Sequence, residues 1–334
     1  MTFKAENFES HIRGSFSKDE LHTLATSKIF ISGGTGFAGR WIISTLGKLF
    51  KSQDLPPIVI VSRSPRKART VFKNYGNIEI TDWENLNKST VLGPHKKRVI
   101  AFHASVPAAS GVEIKFAEID SYGKQTEFFA STLGKEFRNP LFVNLSSGAV
   151  YERPTSGKIP EKQIVKETTA MNSYDLVKIN DERIVAEMTQ ANIIIGTNPR
   201  LFSFSGPGID IPGNFALGSF VNDALQGRAV QVTGSGSSER SYMSPIDMGI
   251  WILKSSIYPS TDITHIGSSL GLKMPEIAQL VAQIFGNGQV NVSNEQGLVP
   301  ESYVPETQFT ESLFQIQDTI NIERSLKFWR GKTI

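Results

Sequence analysis

The chain has 334 residues, 36.8 kDa, 39% hydrophobic and 20% charged, enough for a substantial core in one large or two interpenetrating domains. Its apolar runs, such as IVIV (58–61), fall far short of the ~20 residues of a membrane span, MTFKAENFESHIRG carries acids and no apolar core segment, and there is no cysteine. No membrane-spanning helix and no secretory signal are expected, the lack of cysteine excludes disulfides and thiolate chemistry, a cytoplasmic location is expected, and a net charge of +3 is too small to imply a nucleic-acid partner.

Residues 1–27 read as a helical extension without an assignable function. The first strand, KIFIS (28–32), runs into ISGGTGFAGRWI, which opens a helix over 36–50. The glycines satisfy two patterns at once, Gly34-x-Gly36-x-x-Gly39 and Gly33-x-x-Gly36-x-x-Gly39. Glycine here serves a tight turn, close approach of backbone to a pyrophosphate, and close helix–strand packing, with the helix N-terminus facing the phosphates. Gly33, Thr35, Gly36, Phe37 and Gly39 are therefore candidate cofactor contacts.

The second strand, IVIVS (58–62), ends in Ser62 and Arg63, with Arg66 and Lys67 close behind. NAD is read at this place by an acid that accepts from the ribose hydroxyls, whereas an arginine suits the 2′-phosphate of NADP. Ser62 and Arg63 thus favour NADP; NAD stays open, because arginines after a strand also occur as plain surface. The basic run HKKR (95–98) reads as a solvated face.

Further strands are expected at IEI (78–80), RVIAF (98–102), LFVNLS (141–146) and NIIIGT (192–197), with helices at 65–74, 113–135 and 173–190. Apolar strands alternating with helices imply an α/β fold, a doubly wound parallel (Rossmann) sheet over 28–200. After Arg200 the texture changes to SFSGPGIDIPGN and mixed short elements. A smaller mixed C-terminal substrate region is expected over 201–334, with about 241–266 returning to the Rossmann domain.

Two stretches suggest redox chemistry at an alcohol. LSSGAVY (145–151) ends the fifth strand and is either turn chemistry or a hydroxyl placed beside a reacting carbon. In NSYDLVKINDERI, Tyr174 and Lys178 stand four apart on one helix face, so the ammonium is expected to lower the phenol's pKa and the pair to move a proton while hydride passes to nicotinamide. The histidines show no metal spacing, and neither a G-x-S-x-G elbow nor a G-x-x-x-x-G-K-[ST] loop occurs.

With GGTGFAG, VIAFHAS, LSSGAVY, YDLVK, RLFSFSGPG and GSGSSERSY in this order, the chain resembles the extended short-chain dehydrogenase/reductases, in their NAD(P)-dependent nucleotide-sugar epimerase/dehydratase branch. The match runs from about Lys28 to Trp329. By that resemblance Ser147, Tyr174 and Lys178 are catalytic, and Lys178 also contacts the nicotinamide ribose. Asp82 falls where the family contacts the adenine, an N-cap being the competing reading. His103 and Ala104 flank the cofactor crevice, a structural role competing for His103. Arg240 takes the place that grips the substrate diphosphate, and Ser203 stands where the family often has an asparagine. The family implies a nucleotide-sugar partner and a homodimer built on the helices at 113–135 and 173–190, and the histidine spacing gives no metal site.

Family 4,6-dehydratases commonly carry an Asp–Glu pair after the catalytic Ser/Thr; here Gly148 and Ala149 cannot titrate. A 4-ketoreductase or 4-epimerase using NADP(H), or NAD, is the resulting expectation. A dehydratase or decarboxylase, a reductase of a non-nucleotide carbonyl, and a non-catalytic NADP sensor remain the alternatives.

Overall fold

In the computed structural model the described residues are 8–88, 92, 98–106, 114–165, 172–211, 215–234, 236–293, 299–316 and 320–333. His95, Lys96 and Lys97 of the second basic run, the expected helix start at 113, and residues 1–7 of the extension lie outside them.

Two short helices, α1 (Phe8–Gly14) and α2 (Lys18–Ala25), precede β1 (Lys28–Ser32) and α3 (Phe37–Leu49). Then come β2 (Ile58–Val61), α4 (Pro65–Val71), β3 (Ile78–Thr81), β4 (Val99–His103), α5 (Ile119–Glu136), β5 (Leu141–Asn144), the two-residue β6 (Ser146–Ser147), α6 (Ser173–Gln190) and β7 (Ile195–Thr197). The strands form a six-stranded parallel sheet ordered β3-β2-β1-β4-β5-β7. Strand order reverses between β1 and β4, so the crevice that takes a ligand in such sheets opens at their carboxyl ends.

Strand side chains alternate between two cores, as the pleat requires. Ile29, Ile31, Ile58, Ile60, Ile100, Phe102, Leu141 and Val143 point to one face, and Phe30, Val59, Val61, Val99, Ala101 and Phe142 to the other. Both faces are covered, which is why these strands read as continuous apolar runs.

One expected strand divides. Leu141–Asn144 stays in the main sheet, but the Leu145 amide donates to His103 and the Ser146 amide to Pro199, so the chain changes partners. Ser146–Ser147 then pairs with β8 (Arg200–Leu201). The expected strand 192–197 begins later, at Ile195, because Asn192 takes a left-handed conformation (φ 56°) in the turn closing α6.

Beyond β8 come α7 (Ala216–Leu225), β9 (Val230–Val232), β10 (Glu239–Arg240), α8 (Pro245–Ile257), β11 (His265–Ile266), β12 (Leu272–Lys273), α9 (Met274–Phe285), β13 (Val290–Val292), β14 (Ser302–Tyr303), α10 (Gln308–Phe314) and α11 (Ile322–Thr333). α7 and α9 enclose a separate apolar cluster with β9 and α11. α8 shares the core beneath the main sheet and is buried from Pro245 to Ser256, the signature of a helix surrounded by protein. One flank of α8 is closed by the N-terminal helices. Lys254 donates to Glu20 at 2.6 Å, with only 3% and 6% of the side chains exposed, and its ammonium lies over the rings of Phe16 and Tyr258. The extension is thus stapled to the sheet's back layer. Among the described residues no helix is long and apolar enough to cross a membrane.

Candidate active site

The turn between β1 and α3 is built as the glycine pattern demands. Gly33 sits at φ +69°, and a Cβ there would lie 2.1 Å from the Ala104 carbonyl oxygen. A Cβ on Gly39 would lie 2.5 Å from the Gly33 oxygen, so helix and strand pack backbone to backbone. Gly36 is the N-cap, with no side-chain hydrogen bond and no acid in the first turn of α3. Its own Cβ would meet only the Gly33 oxygen, at 3.2 Å. Free amides, a partial positive charge and room at Gly36 suit a pyrophosphate. Thr35 is half-buried beside it, and Phe37 packs on Phe204 with ring centroids 6.3 Å apart.

At the end of β2, the Ser62 hydroxyl accepts from the Ser64 amide, while Arg63, Arg66 and Lys67 are exposed. No carboxylate among the described residues forms an ion pair with Arg63. Asp82 accepts from the Asn85 amide and side chain, both at 2.8 Å; this is the capping geometry that the sequence left as an alternative to adenine contact. His103 is buried, and both ring nitrogens are engaged, Nδ1 with Ser32 (2.7 Å) and Nε2 with Thr126 (3.0 Å). Burial, with Lys178 nearby, pushes its pKa down to about 3. A neutral histidine with both ring nitrogens engaged within the protein thus underlies the crevice, the arrangement of the structural role that the sequence left beside cofactor contact.

Ser147 and Tyr174 meet because β6 leaves the main sheet beside α6. The Ser147 oxygen accepts from the Ala149 amide at 3.1 Å, and its hydroxyl interacts with the Tyr174 phenol. Asn172 caps α6 by accepting from the Asp175 amide at 3.1 Å, which starts the helix one residue before Tyr174. Lys178 is buried; its ammonium donates to the Leu145 carbonyl at 2.7 Å and lies 5.8 Å from the centre of the Tyr174 ring. The neighbouring Ser146 donates to Glu182 at 2.5 Å, and Glu182 accepts from Arg200 at 2.8 and 2.6 Å, clamping β6, α6 and β8 together.

The expected lowering of the phenol's pKa does not occur. Burial pushes Tyr174 up to about 12, opposed by Ser147, with Asp175 and Asp181 adding to the rise. The lysine charge sits at a carbonyl and beside the ring, where desolvation outweighs it.

One site residue had no signal in the sequence. Tyr303, on β14, is brought in by the register Arg240↔Tyr303. Its ring packs on Phe202 at 4.9 Å, the Arg153 guanidinium lies 5.2 Å above it, and its hydroxyl interacts with Ser147. Burial, then the neighbouring Tyr174, raises its pKa. One serine hydroxyl is thus flanked by two phenols.

Arg240 is partly buried and donates to the Glu239 and Glu301 carbonyls and to the Glu301 carboxylate, the last at 3.1 Å. Arg153 reaches the same carboxylate oxygen at 2.9 Å, so two guanidiniums share one acid and the cluster keeps a net positive charge. Ser203 is half-buried and accepts through its carbonyl from the Met243 amide. Gly148 lies against Phe202: a Cβ would be 2.7 Å from two ring atoms, so no acid fits there without moving the ring. Among the described residues no group of three or more His, Asp or Glu side chains could hold a metal ion.

A sequence comparison with curated proteins finds no match. Among solved structures, UDP-glucose 4-epimerase from Thermotoga maritima with UDP-glucose superposes with a TM-score of 0.72 at 17% identity, covering 92% of this chain and 98% of its own. UDP-glucuronic acid 4-epimerase from Bacillus cereus, in complex with UDP-glucuronic acid and NAD, gives 0.73 at 16% identity, covering 91% and 98%. UDP-N-acetylglucosamine 4-epimerase from the same species gives 0.70 at 17% identity, covering 92% and 96%. These likenesses show the fold. The family model for the NAD dependent epimerase/dehydratase family matches residues 29–253, most of the chain including the glycine turn, Ser147, Tyr174 and Lys178. By fold and by sequence, the chain belongs to the NAD dependent epimerase/dehydratase family of extended short-chain dehydrogenase/reductases.

Proposed function

We propose that this protein is a nucleotide-sugar oxidoreductase that interconverts an alcohol and a ketone at C4 of the sugar, with NADP(H) as cofactor. The observation that carries the reading is the convergence of Ser147, Tyr174 and Lys178 at the mouth of the β1/β4 crevice. A bound nicotinamide dinucleotide would exchange hydride with C4. In that reading Tyr174 gives a proton to, or takes one from, the C4 oxygen, Ser147 hydrogen-bonds that oxygen, and Lys178 holds the region positive. Tyr174 is protonated at neutral pH, as an ordinary tyrosine is, which is the form that donates to a ketone oxygen and is common to reduction and epimerisation. Arg63 without an acidic partner supports NADP, and consumption of NADPH fits a 4-ketoreductase. Arg240 is the proposed diphosphate contact, exchanging part of its bonding to Glu301 for the substrate. Gly148 packed under Phe202 argues against dehydration, which needs acids there.

The second reading, 4-epimerisation with retained NAD, is supported by the fold neighbours that are 4-epimerases and by the NAD in one of them. Purified protein should be incubated with UDP-sugars and their 4-keto forms, with NADPH, NADH or neither. Absorbance at about 340 nm reads cofactor turnover, and proton NMR reads the configuration at C4. A 4-ketoreductase oxidises NADPH stoichiometrically, whereas an epimerase inverts C4 with none consumed. Tyr174→Phe should lower kcat by about 10²- to 10⁴-fold, and an active Tyr174→Phe variant would overturn the relay.

A further inference from the structure

Beneath the Tyr174–Lys178 pair lies an acid without a part in the proposed reaction. Asp181 is fully buried on α6, three residues after Lys178. Its Oδ1 accepts from the Thr126 hydroxyl at 2.7 Å, and its Oδ2 has no hydrogen-bond partner. Isolated buried carboxylates are costly, so a compensating charge is required.

The charges packed around it can be paired off. Glu182, on the next residue of α6, is held by two bonds from Arg200 of β8, so its charge is already matched. Lys178 donates to one carbonyl, that of Leu145, and makes no ion pair within 4.0 Å among the described residues. Of the two carboxylates whose charge acts on Lys178, Asp181 and Glu182, this leaves Asp181 as the unmatched one. The other groups facing them are the Tyr174 phenol and Asp175 on α6, His103 on β4, Ser147 on β6, Thr126 and the Tyr122 carbonyl on α5, and Tyr303 on β14.

Asp181 also sets the direction of a hydrogen-bond chain. An ionised carboxylate only accepts, so Thr126 donates to it, and the Thr126 oxygen must then accept from His103 Nε2. That leaves His103 Nδ1 bare, to accept from Ser32 at the end of β1. The Ser32 oxygen in turn accepts from the Ala104 amide at 3.3 Å, beside the glycine turn. One buried charge thereby orders side chains on α6, α5, β4 and β1, from the lysine to the floor of the cofactor crevice.

We propose that Asp181 is a positioning residue of the proton relay, the buried counter-ion of Lys178, and that through Thr126 and His103 it also orients Ser32 beneath the cofactor. The inference rests on reading Tyr174 and Lys178 as that relay. Burial holds Asp181 well above the ordinary aspartate range, at about 6, against the pull of Lys178 and Thr126. Below that pH it takes up a proton, Lys178 loses its counter-charge, and the Thr126 hydroxyl is free to turn to the Tyr122 carbonyl 3.2 Å away.

The test is Asp181→Asn, which keeps the shape and an acceptor for Thr126 but removes the charge, beside Thr126→Val, which breaks the chain and keeps the charge. The pH dependence of kcat in full-length enzyme is the readout. Removing the carboxylate that acts on Lys178 should move the alkaline limb of Asp181→Asn to lower pH by about 1 to 3 units and abolish an acid limb near 6. At neutral pH kcat falls roughly tenfold or more with KM little changed. Thr126→Val lowers kcat without moving the alkaline limb. An unchanged pH profile in a folded Asp181→Asn variant overturns the proposal. Should Asp181→Asn not fold, ¹³C NMR of lysine-labelled wild type decides, with Lys178→Met assigning the signal. The Lys178 resonance must show a step near pH 6, and its absence overturns the inference. If Tyr174→Phe is fully active, the relay reading itself has failed; if Tyr174→Phe is inactive and Asp181→Asn titrates as wild type, only this inference has.

Discussion

The ion pair between Glu20 and Lys254 allows the attachment of the N-terminal helices to be weighed. The two side chains meet at 2.6 Å and are almost wholly buried. Glu20 also accepts from the Ser17 amide at 2.6 Å, as the third residue of a capping box. Desolvation alone would raise its pKa, but Lys254, the Ser17 amide and Tyr258 together hold it below the ordinary value, so it is ionised at neutral pH. Lys254→Met removes the ammonium and its stacking on Phe16, and leaves a buried carboxylate facing a thioether. Breaking such a pair from one side costs about 3–5 kcal/mol, mostly the cost of the stranded charge. Glu20→Gln/Lys254→Met keeps an acceptor for Ser17 and strands no charge, so it should return to within about 1–2 kcal/mol of wild type. Urea unfolding followed by tryptophan fluorescence gives the two midpoints, and limited proteolysis shows whether α1 and α2 detach first. A single variant costing less than about 1 kcal/mol, or a double variant no better than the single, would refute the reasoning and assign the attachment to Ile12, Phe16 and Leu24 alone.

Acid stability should follow from the buried titratable groups. His103 and His265 are held neutral down to about 3, whereas in the unfolded chain they protonate near 6.5, so stability falls as pH drops below about 6.5. Asp181 acts in the opposite sense, because the folded form takes its proton near 6 and the unfolded chain only near 3.8. Between about pH 6 and 4 the unfolded state then binds one net proton more, a loss of roughly 1.4 kcal/mol per pH unit, measurable as a drift of the urea midpoint. His265→Phe should flatten that slope, and an unchanged slope would exclude the histidine as its source. Gly148→Ala should cost about 1–3 kcal/mol by forcing the Phe202 ring aside, and Phe202→Leu in the same chain should recover much of it; equal destabilisation with and without Phe202 would remove that cause. Arg63→Ser should raise KM for NADPH at least tenfold and leave KM for NADH unchanged; parallel changes would remove the 2′-phosphate from the explanation.

What was legible in the sequence was what local patterning encodes. The helix expected at 173–190 is found at Ser173–Gln190, because Asn172 caps it and its apolar positions repeat at helical spacing. Strands β1, β2, β4 and β5 follow from apolar runs buried on both faces, and the glycine turn from sterics that only glycine meets. The break between Asn144 and Ser146 was not legible, since a change of hydrogen-bond partner leaves the apolar run continuous. Neither was Tyr303: β14 is two residues long and reaches Ser147 only through pairing with β10. The lysine's effect on Tyr174 was misjudged because helical spacing places two side chains on one face but says nothing of desolvation or of the Leu145 carbonyl that captures the ammonium. Asp181, a charged residue in a polar helix, gave no sign that its face would be fully buried.

The layer behind the sheet carries a consequence for biosynthesis. Phe8 of α1 rests on Phe328 of α11, their ring centroids 5.1 Å apart, and Asp247 accepts both from His11 and from the Ile320 amide. At about 5–20 residues per second, roughly 15–60 s separate emergence of the first partner from synthesis of the second. During that interval the apolar side of α1 has no α11 to cover it, and pairing across so long a loop is slow. A ribosome-bound chain arrested before α11 should therefore hold α1 exposed to chaperones and proteases, and synthesis of α11 should cover it.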